Sequence, residues 1–228
     1  MRILCLHGGG GNAKVMTYQT RLLRDALDGA TFEFLEGARV WPDRLTPPQL
    51  KRLFGEGPYY GWYQVSDDGD PDRDHVAKLL DPSVSFSYAG VDEALQRVED
   101  AIAARGPFDA LLAFSQGAIV TTLLTALALE RQRTSSSVDG APPPPLPWRR
   151  NVLVCGMPPR DELYAKLLAP PLDFPCTLIH GKADEYYAHG LRLNQVYRAA
   201  SVYEHADGHK CAGRGARTHT VDGQDRHT

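Results

Sequence analysis

The stretch that most constrains this chain is Phe-Asp-Ala-Leu-Leu-Ala-Phe-Ser-Gln-Gly-Ala at residues 108–118, where one apolar run stops at a serine and another begins. Ala110–Phe114 has the length and apolarity of a strand buried on both faces, whereas Ile119, Val120, Leu123, Leu124 and Leu127 recur at helical spacing. Ser115 is thereby placed on a sharp turn between strand and helix. A serine held there carries its hydroxyl clear of the sheet edge, which is what a nucleophile needs. Close approach of strand and helix calls for small flanking residues, and Ala113 and Gly117 supply them, so the pattern reads A-x-S-x-G rather than G-x-S-x-G. Five residues with one position relaxed also recur in chains whose serine is merely packed, so the surrounding sequence decides.

With 228 residues, 43% of them hydrophobic, the chain can bury one sizeable core, and a single domain over residues 1–213 is expected. A formal charge of −3, with no long Lys/Arg block before the tail, argues against a nucleic-acid or anionic-membrane surface. Cys5, Cys155, Cys176 and Cys211 lack metal-ligand spacing, and the first three fall in apolar runs. They read as reduced core thiols, and neither metal nor cofactor is expected. The start, Met-Arg-Ile-Leu-Cys-Leu-His, is too short for a signal-peptide core, and no later run approaches a membrane span. A soluble cytoplasmic protein is the expectation.

Arg2–Leu6 reads as a first buried strand, ending in His7-Gly8-Gly9-Gly10-Gly11-Asn12 before a helix over residues 13–27. The glycines lack the Gly-Lys-Ser/Thr of a P-loop and do not fit G-x-G-x-x-G, because Ala13 fills its last position. Two readings remain for this loop: a flexible turn, or backbone N–H donors aimed at an oxyanion. In the second, Gly9 and the residue after the serine, Gln116, carry the donors. Thr31–Leu35 is a second strand. Residues 38–89 show little periodicity and many turn formers, yet hold Trp41, Tyr59, Tyr60, Trp62 and Tyr63, which marks an irregular lid or binding loop. As a group these five aromatics are expected to line an apolar pocket, although any one of them more often covers a sheet edge. A helix over 90–105 presents Val91, Leu95, Val98 and Ile102 on one stripe. The helix after Ser115 is expected to fade near Arg133, leaving the serine- and proline-rich residues 134–147 as a surface loop. Strands over 151–155, 176–180 and Ser201–His205 alternate with helices over 160–168 and 188–200, which means a mainly parallel sheet. Residues 214–228 are nearly without apolar side chains, and disorder is expected there.

A serine nucleophile needs a base, and the base needs an orienting carboxylate. Asp184 follows one strand and His209 lies in the loop after the next, so both emerge at the sheet edge that carries Ser115. The rivals sit elsewhere: His180 and His205 lie within strands, His189 on or near a helix, and Asp207 in a turn beside His209.

These residues resemble the family of serine hydrolases, small α/β-hydrolases that include an ovarian-cancer-associated hydrolase and fungal polyketide-releasing thioesterases. The resemblance is carried by Leu4-Cys5-Leu6-His7-Gly8, Tyr88-Ala89-Gly90-Val91-Asp92-Glu93-Ala94-Leu95, Gly106-Pro107-Phe108-Asp109, Phe114-Ser115-Gln116-Gly117-Ala118, His180-Gly181-Lys182-Ala183-Asp184 and Gly208-His209. It implies the α/β-hydrolase fold, with Ser115, Asp184 and His209 as the triad. It departs from the family at Ala113, in the length of the serine- and proline-rich excursion, and in a tail that offers no ordered helix after the histidine. The expected reaction is hydrolysis of an ester or thioester with an apolar acyl group, with release of a polyketide or acyl chain from an acyl carrier protein as one form of it. A short-chain carboxylesterase, a cyclase or carbon–carbon bond hydrolase, and a noncatalytic binding protein are the alternatives.

Overall fold

Alternation along the buried strands decides where the core of this protein lies. The computed structural model describes residues 1–139, 144–211 and 219–220. Strands β1 (Arg2–Leu6), β2 (Thr31–Leu35), β3 (Arg39–Val40), β4 (Tyr60–Gly61), β5 (Gln64–Asp67), β6 (Phe86–Ala89), β7 (Ala110–Phe114), β8 (Asn151–Val154), β9 (Cys176–Gly181), β10 (Ser201–His205) and β11 (His219–Thr220) follow in chain order. The helices are α1 (Ala13–Gln19), α2 (Arg21–Ala26), α3 (Pro48–Phe54), α4 (His75–Leu80), α5 (Val91–Arg105), α6 (Gln116–Asp139), α7 (Glu162–Ala165) and α8 (Tyr187–Gly190). The central sheet runs β2-β1-β7-β8-β9-β10-β11, parallel throughout except for antiparallel β11. This is the expected α/β-hydrolase architecture, with a mainly parallel sheet and helices around it.

Leu4, Leu6, Leu111, Ala113, Leu153 and Leu178 pack on one face with Val91, Leu95, Val98 and Ile102 of α5 and Ile119, Leu123 and Leu124 of α6. Ile3, Cys5, Ala110, Leu112, Phe114 and Val154 pack on the other, with Met16 of α1. Each fully buried leucine of this kind contributes about 1.5–3 kcal/mol. A buried polar set ties α6 to the sheet. Asn151 at the head of β8 donates to Thr125 Oγ1 (2.9 Å) and Tyr197 Oη (3.1 Å) and accepts from Trp148 Nε1 (3.1 Å).

Several boundaries differ from the sequence expectations for local reasons. The helix expected over 13–27 breaks at Thr20, whose hydroxyl bonds the Met16 carbonyl oxygen at 2.8 Å. α6 passes Arg133 to reach Asp139, because extending an established helix gains one backbone bond per residue; residues 140–143 of the expected loop lie outside the described residues. The helix expected over 188–200 shrinks to α8 and one tight turn, since Leu172 pairs with the segment at Tyr197 and Asn194 is held by His180. Two tail residues, His219 and Thr220, pair with Glu204 and Tyr203 where disorder was expected, and the remainder of 214–228 lies outside the described residues. The insertion at 38–89 is less irregular than its sequence suggests. β3 pairs with β4, β5 pairs with β6, and α3 and α4 fill the gaps between them. Elements of two to seven residues are too short to show periodicity. No helix among the described residues is long and apolar enough to cross a membrane.

Candidate active site

The strand β7 delivers Ser115 onto a backbone of φ 51°, a left-handed conformation that a serine adopts only when its surroundings enforce it. They do so here from both sides. The Ser115 N–H donates to Val154 O on the neighbouring strand (3.0 Å), and its carbonyl accepts from Ala118 N–H at the start of α6 (2.9 Å). Gly117 is required by close approach: a Cβ there would lie 2.6 Å from His7 O and 2.8 Å from Leu6 O. Ala113 takes the relaxed position of the motif, fully buried between Leu6 and Leu153.

Two further strand ends bring the partners. Asp184 follows β9 and is buried; its Oδ1 accepts from Tyr186 N–H (2.9 Å) and its Oδ2 faces His209 Nδ1 (2.7 Å). His209 Nε2 lies 2.9 Å from Ser115 Oγ. This network sets the tautomer, with Nδ1–H donating to the carboxylate and Nε2 accepting the serine proton. Burial alone would raise the Asp184 carboxyl, but the hydrogen bonds and charge of His209 and the Tyr186 N–H hold it below the usual carboxylate range. The histidine ring is further confined between Phe114 and Tyr186, with ring centroids at 4.9 and 5.0 Å. The structure brings His209 within hydrogen-bonding distance of both Ser115 and Asp184, the three residues expected at the strand ends. His180 bonds Asn194, His189 bonds the Pro158 carbonyl, and Asp207 sits near His205, all apart from this network.

The glycine loop is shaped by His7, which is buried. Its Nδ1 donates to Gly8 O (2.7 Å) and its Nε2 accepts from Gly37 N–H (2.9 Å), and burial drives its pKa down to about 4, so the ring is neutral. Gly11 N–H closes the turn on Gly8 O at 3.1 Å, with Gly10 at φ 68°. Among the described residues the backbone N–H groups of Gly9 and Gln116 find no acceptor, and both residues border the cleft that holds Ser115 and His209.

That cleft has a volume of about 940 Å³. Of the five aromatics expected to line it, Trp41 and Tyr63 do; Tyr59, Tyr60 and Trp62 do not. Trp62 is fully buried beneath the loop and donates its Nε1–H to His7 O (2.7 Å), Tyr59 turns its hydroxyl to Gly55 O (2.7 Å), and Tyr60 pairs with Val40 in the small β3–β4 ribbon. Their rings support the insertion rather than the cleft. The walls come instead from Val40, Leu45, Val65, Leu79, Ile119 and Met157, scattered over six segments with no common spacing, which is why no sequence signal marked them.

Two side chains beside the site were missed. Gln116 was expected to act through its backbone, yet its side chain clamps the insertion: Oε1 accepts from Trp62 N–H (2.8 Å) and Nε2 donates to Tyr63 O (2.9 Å). Cys155, at the end of β8 with φ 48°, donates its thiol to Lys210 O (3.6 Å), and its sulfur lies within 4.8 Å of ligand atoms of both Asp184 and His209. These three do not suit a metal ion. Burial and the Asp184 carboxylate push the thiol well above its usual range, so it stays protonated, and the other two are engaged with each other.

The sheet order with this strand-turn-helix places the protein among the α/β-hydrolases. The family described as "Serine hydrolase (FSH1)" matches residues 1–211, and the chain belongs to it. It is 31% identical over 217 residues to the protein named "Esterase OVCA2" of Homo sapiens, covering 92% of this chain and 88% of that one. To a "Probable esterase" of Aspergillus terreus it is 30% identical over 195 residues, 80% of this chain and 70% of that one. Among solved structures, a carboxylesterase from Mesorhizobium loti superposes with a TM-score of 0.57 at 17% identity, over 93% of this chain and 82% of that one.

Proposed function

We propose that this serine hydrolase is an esterase or thioesterase for substrates with an extended apolar acyl group, working through an acyl-enzyme on Ser115. His209 Nε2 takes the Ser115 proton as Oγ bonds the acyl carbon, and the imidazolium then returns that proton to the departing alcohol or thiol. Water repeats the sequence, with His209 again as base, and frees Ser115 and the acid. Asp184 holds the ring in the required tautomer and stabilises its charged form. The unpaired N–H groups of Gly9 and Gln116 are the donors for the oxyanion. The observation that carries this reading is the bridge of His209 between Ser115 Oγ at 2.9 Å and Asp184 Oδ2 at 2.7 Å, at the edge of a largely apolar cleft.

A cleft of about 940 Å³ exceeds what a short-chain ester fills, which favours long acyl groups over a short-chain carboxylesterase. Removal of an acyl or polyketide chain from a carrier protein is the thioester form of the same reaction, and the resemblance to polyketide-releasing members supports it. Intact-mass analysis after treatment with a fluorophosphonate tests the core of the reading. One adduct is expected on the wild type and none on Ser115→Ala. An unlabelled, folded wild type would sink it. Matched oxoesters and thioesters of rising chain length then assign the substrate, with kcat/KM expected to rise with length.

A further inference from the structure

The cleft is apolar along its walls but charged at its mouth, and its charges are unevenly placed. Arg39 and Arg44 border it from the insertion, whereas Glu185, the one acidic side chain along the cleft among the described residues, stands next to Asp184. Val40 at 71% exposure and Leu45 at 50% mark the insertion edge as the mouth. Arg44 sits there between them in chain order and is exposed. Its neighbour Asp43 is taken by Lys51 (2.5 Å), and among the described residues Arg44 itself meets no carboxylate. Arg39 reaches Glu93 at 3.3 Å, but that carboxylate is 68% exposed, so the pair is screened and readily exchanged. A guanidinium fork left open beside an apolar channel is suited to an oxyanion at the far end of a ligand, which it meets with two parallel hydrogen bonds.

We infer that Arg39 and Arg44 form a subsite for an anionic group, a carboxylate or a phosphate, at the end of the substrate remote from the scissile carbonyl. This rests on the esterase reading above and narrows it: the preferred substrate is amphipathic, with its carbonyl at Ser115, its apolar part along Leu79, Ile119 and Met157, and its charge at the mouth. The group has two sources. It belongs either to the acyl chain, as an ω-carboxylate, or to the leaving group, as the phosphate of a phosphopantetheine thioester.

The test is a ratio. kcat/KM is measured for an alkanoyl ester and the ω-carboxy ester of equal length, and separately for acyl pantetheine and acyl phosphopantetheine. In the wild type the anionic member of one pair is expected to be favoured about tenfold or more, and the pair that shows it names the source. The preference is expected to shrink with added salt, to vanish in Arg44→Gln, and to reverse in Arg44→Glu. Ratios near one in both pairs, or a preference that survives Arg44→Glu and Arg39→Gln, would overturn the inference. Failure of catalysis itself is kept separate by calorimetry on Ser115→Ala with an ω-carboxy alkanamide and its uncharged counterpart. Tighter binding of the anion in this pair, or in the amide analogue of acyl phosphopantetheine against that of acyl pantetheine, lost with Arg44→Glu in that background, supports the subsite without turnover, and equal binding in both pairs refutes it.

Discussion

At the scale of single residues, the site depends on two positions that carry no reacting atom. Replacing Asp184 by Asn keeps the size of the side chain but offers an amide N–H toward His209 Nδ1, which favours the tautomer that protonates Nε2 and leaves Ser115 without a base. The expected result is a fall in kcat of about four orders of magnitude, with the melting temperature shifted little and KM nearly unchanged. Steady-state kinetics beside a thermal melt checks it; a loss under tenfold would remove Asp184 from the mechanism. Gly117 is decided by sterics. Alanine there puts its methyl group 2.6 Å from His7 O and 2.8 Å from Leu6 O, both backbone atoms of the loop that also carries Gly9. Because backbone cannot rotate away, Gly117→Ala is expected to cost about 1–3 kcal/mol in urea unfolding and to depress kcat as well. An unchanged midpoint would show that helix and loop are less tightly apposed.

Among the elements, the join between α6 and the insertion is the informative one. The Gln116 side chain bonds Trp62 N–H and Tyr63 O, so the helix that begins at the serine also fixes the cleft wall formed by Tyr63. Gln116→Met preserves bulk and the backbone N–H while leaving two polar groups unpaired, at about 1–3 kcal/mol each. A lowered melting temperature and faster proteolytic cleavage within residues 38–89 are expected, with KM for long esters raised more than kcat is lowered. Cleavage at the wild-type rate would show that the clamp does not hold the insertion. The same join explains how far the sequence could be read. The sheet strands were legible because Leu111, Leu153 and Leu178 lie in runs buried on both faces, which leaves an unbroken apolar signature. Ser115, Asp184 and His209 were legible as residues at strand ends in the right order. Trp62 was not, because its place under His7 depends on contacts 55 residues away, and composition alone could not separate a supporting ring from a lining one. Arg44 and Cys155 were equally hidden, since what marks them is a neighbour brought in by the fold.

Over the whole molecule, the buried histidines set how the fold answers to acid. His7, His180, His189 and His205 are all buried and all held below the ordinary histidine range, chiefly by burial; His7 and His189 are driven down to about 4. For His189, nearby Arg192 and Arg160 add to the effect, while the bond to Pro158 O opposes it. Each folded pKa lies below the unfolded value, so the unfolded chain binds more protons and stability rises with pH. The contribution is complete above about pH 6.5 and drains away as pH falls toward 4. With two histidines differing by most of a proton each, the slope near pH 5 is expected to reach roughly 2–3 kcal/mol per pH unit. Urea midpoints between pH 7 and 4.5 measure it, and His189→Gln, which cannot titrate, is expected to remove about a third to a half of the slope. A flat profile over that window would mean that the unfolded chain gains no protons over the folded one. His7 would then no longer be the neutral ring that accepts from Gly37 N–H, and the loop carrying Gly9 would need a different brace.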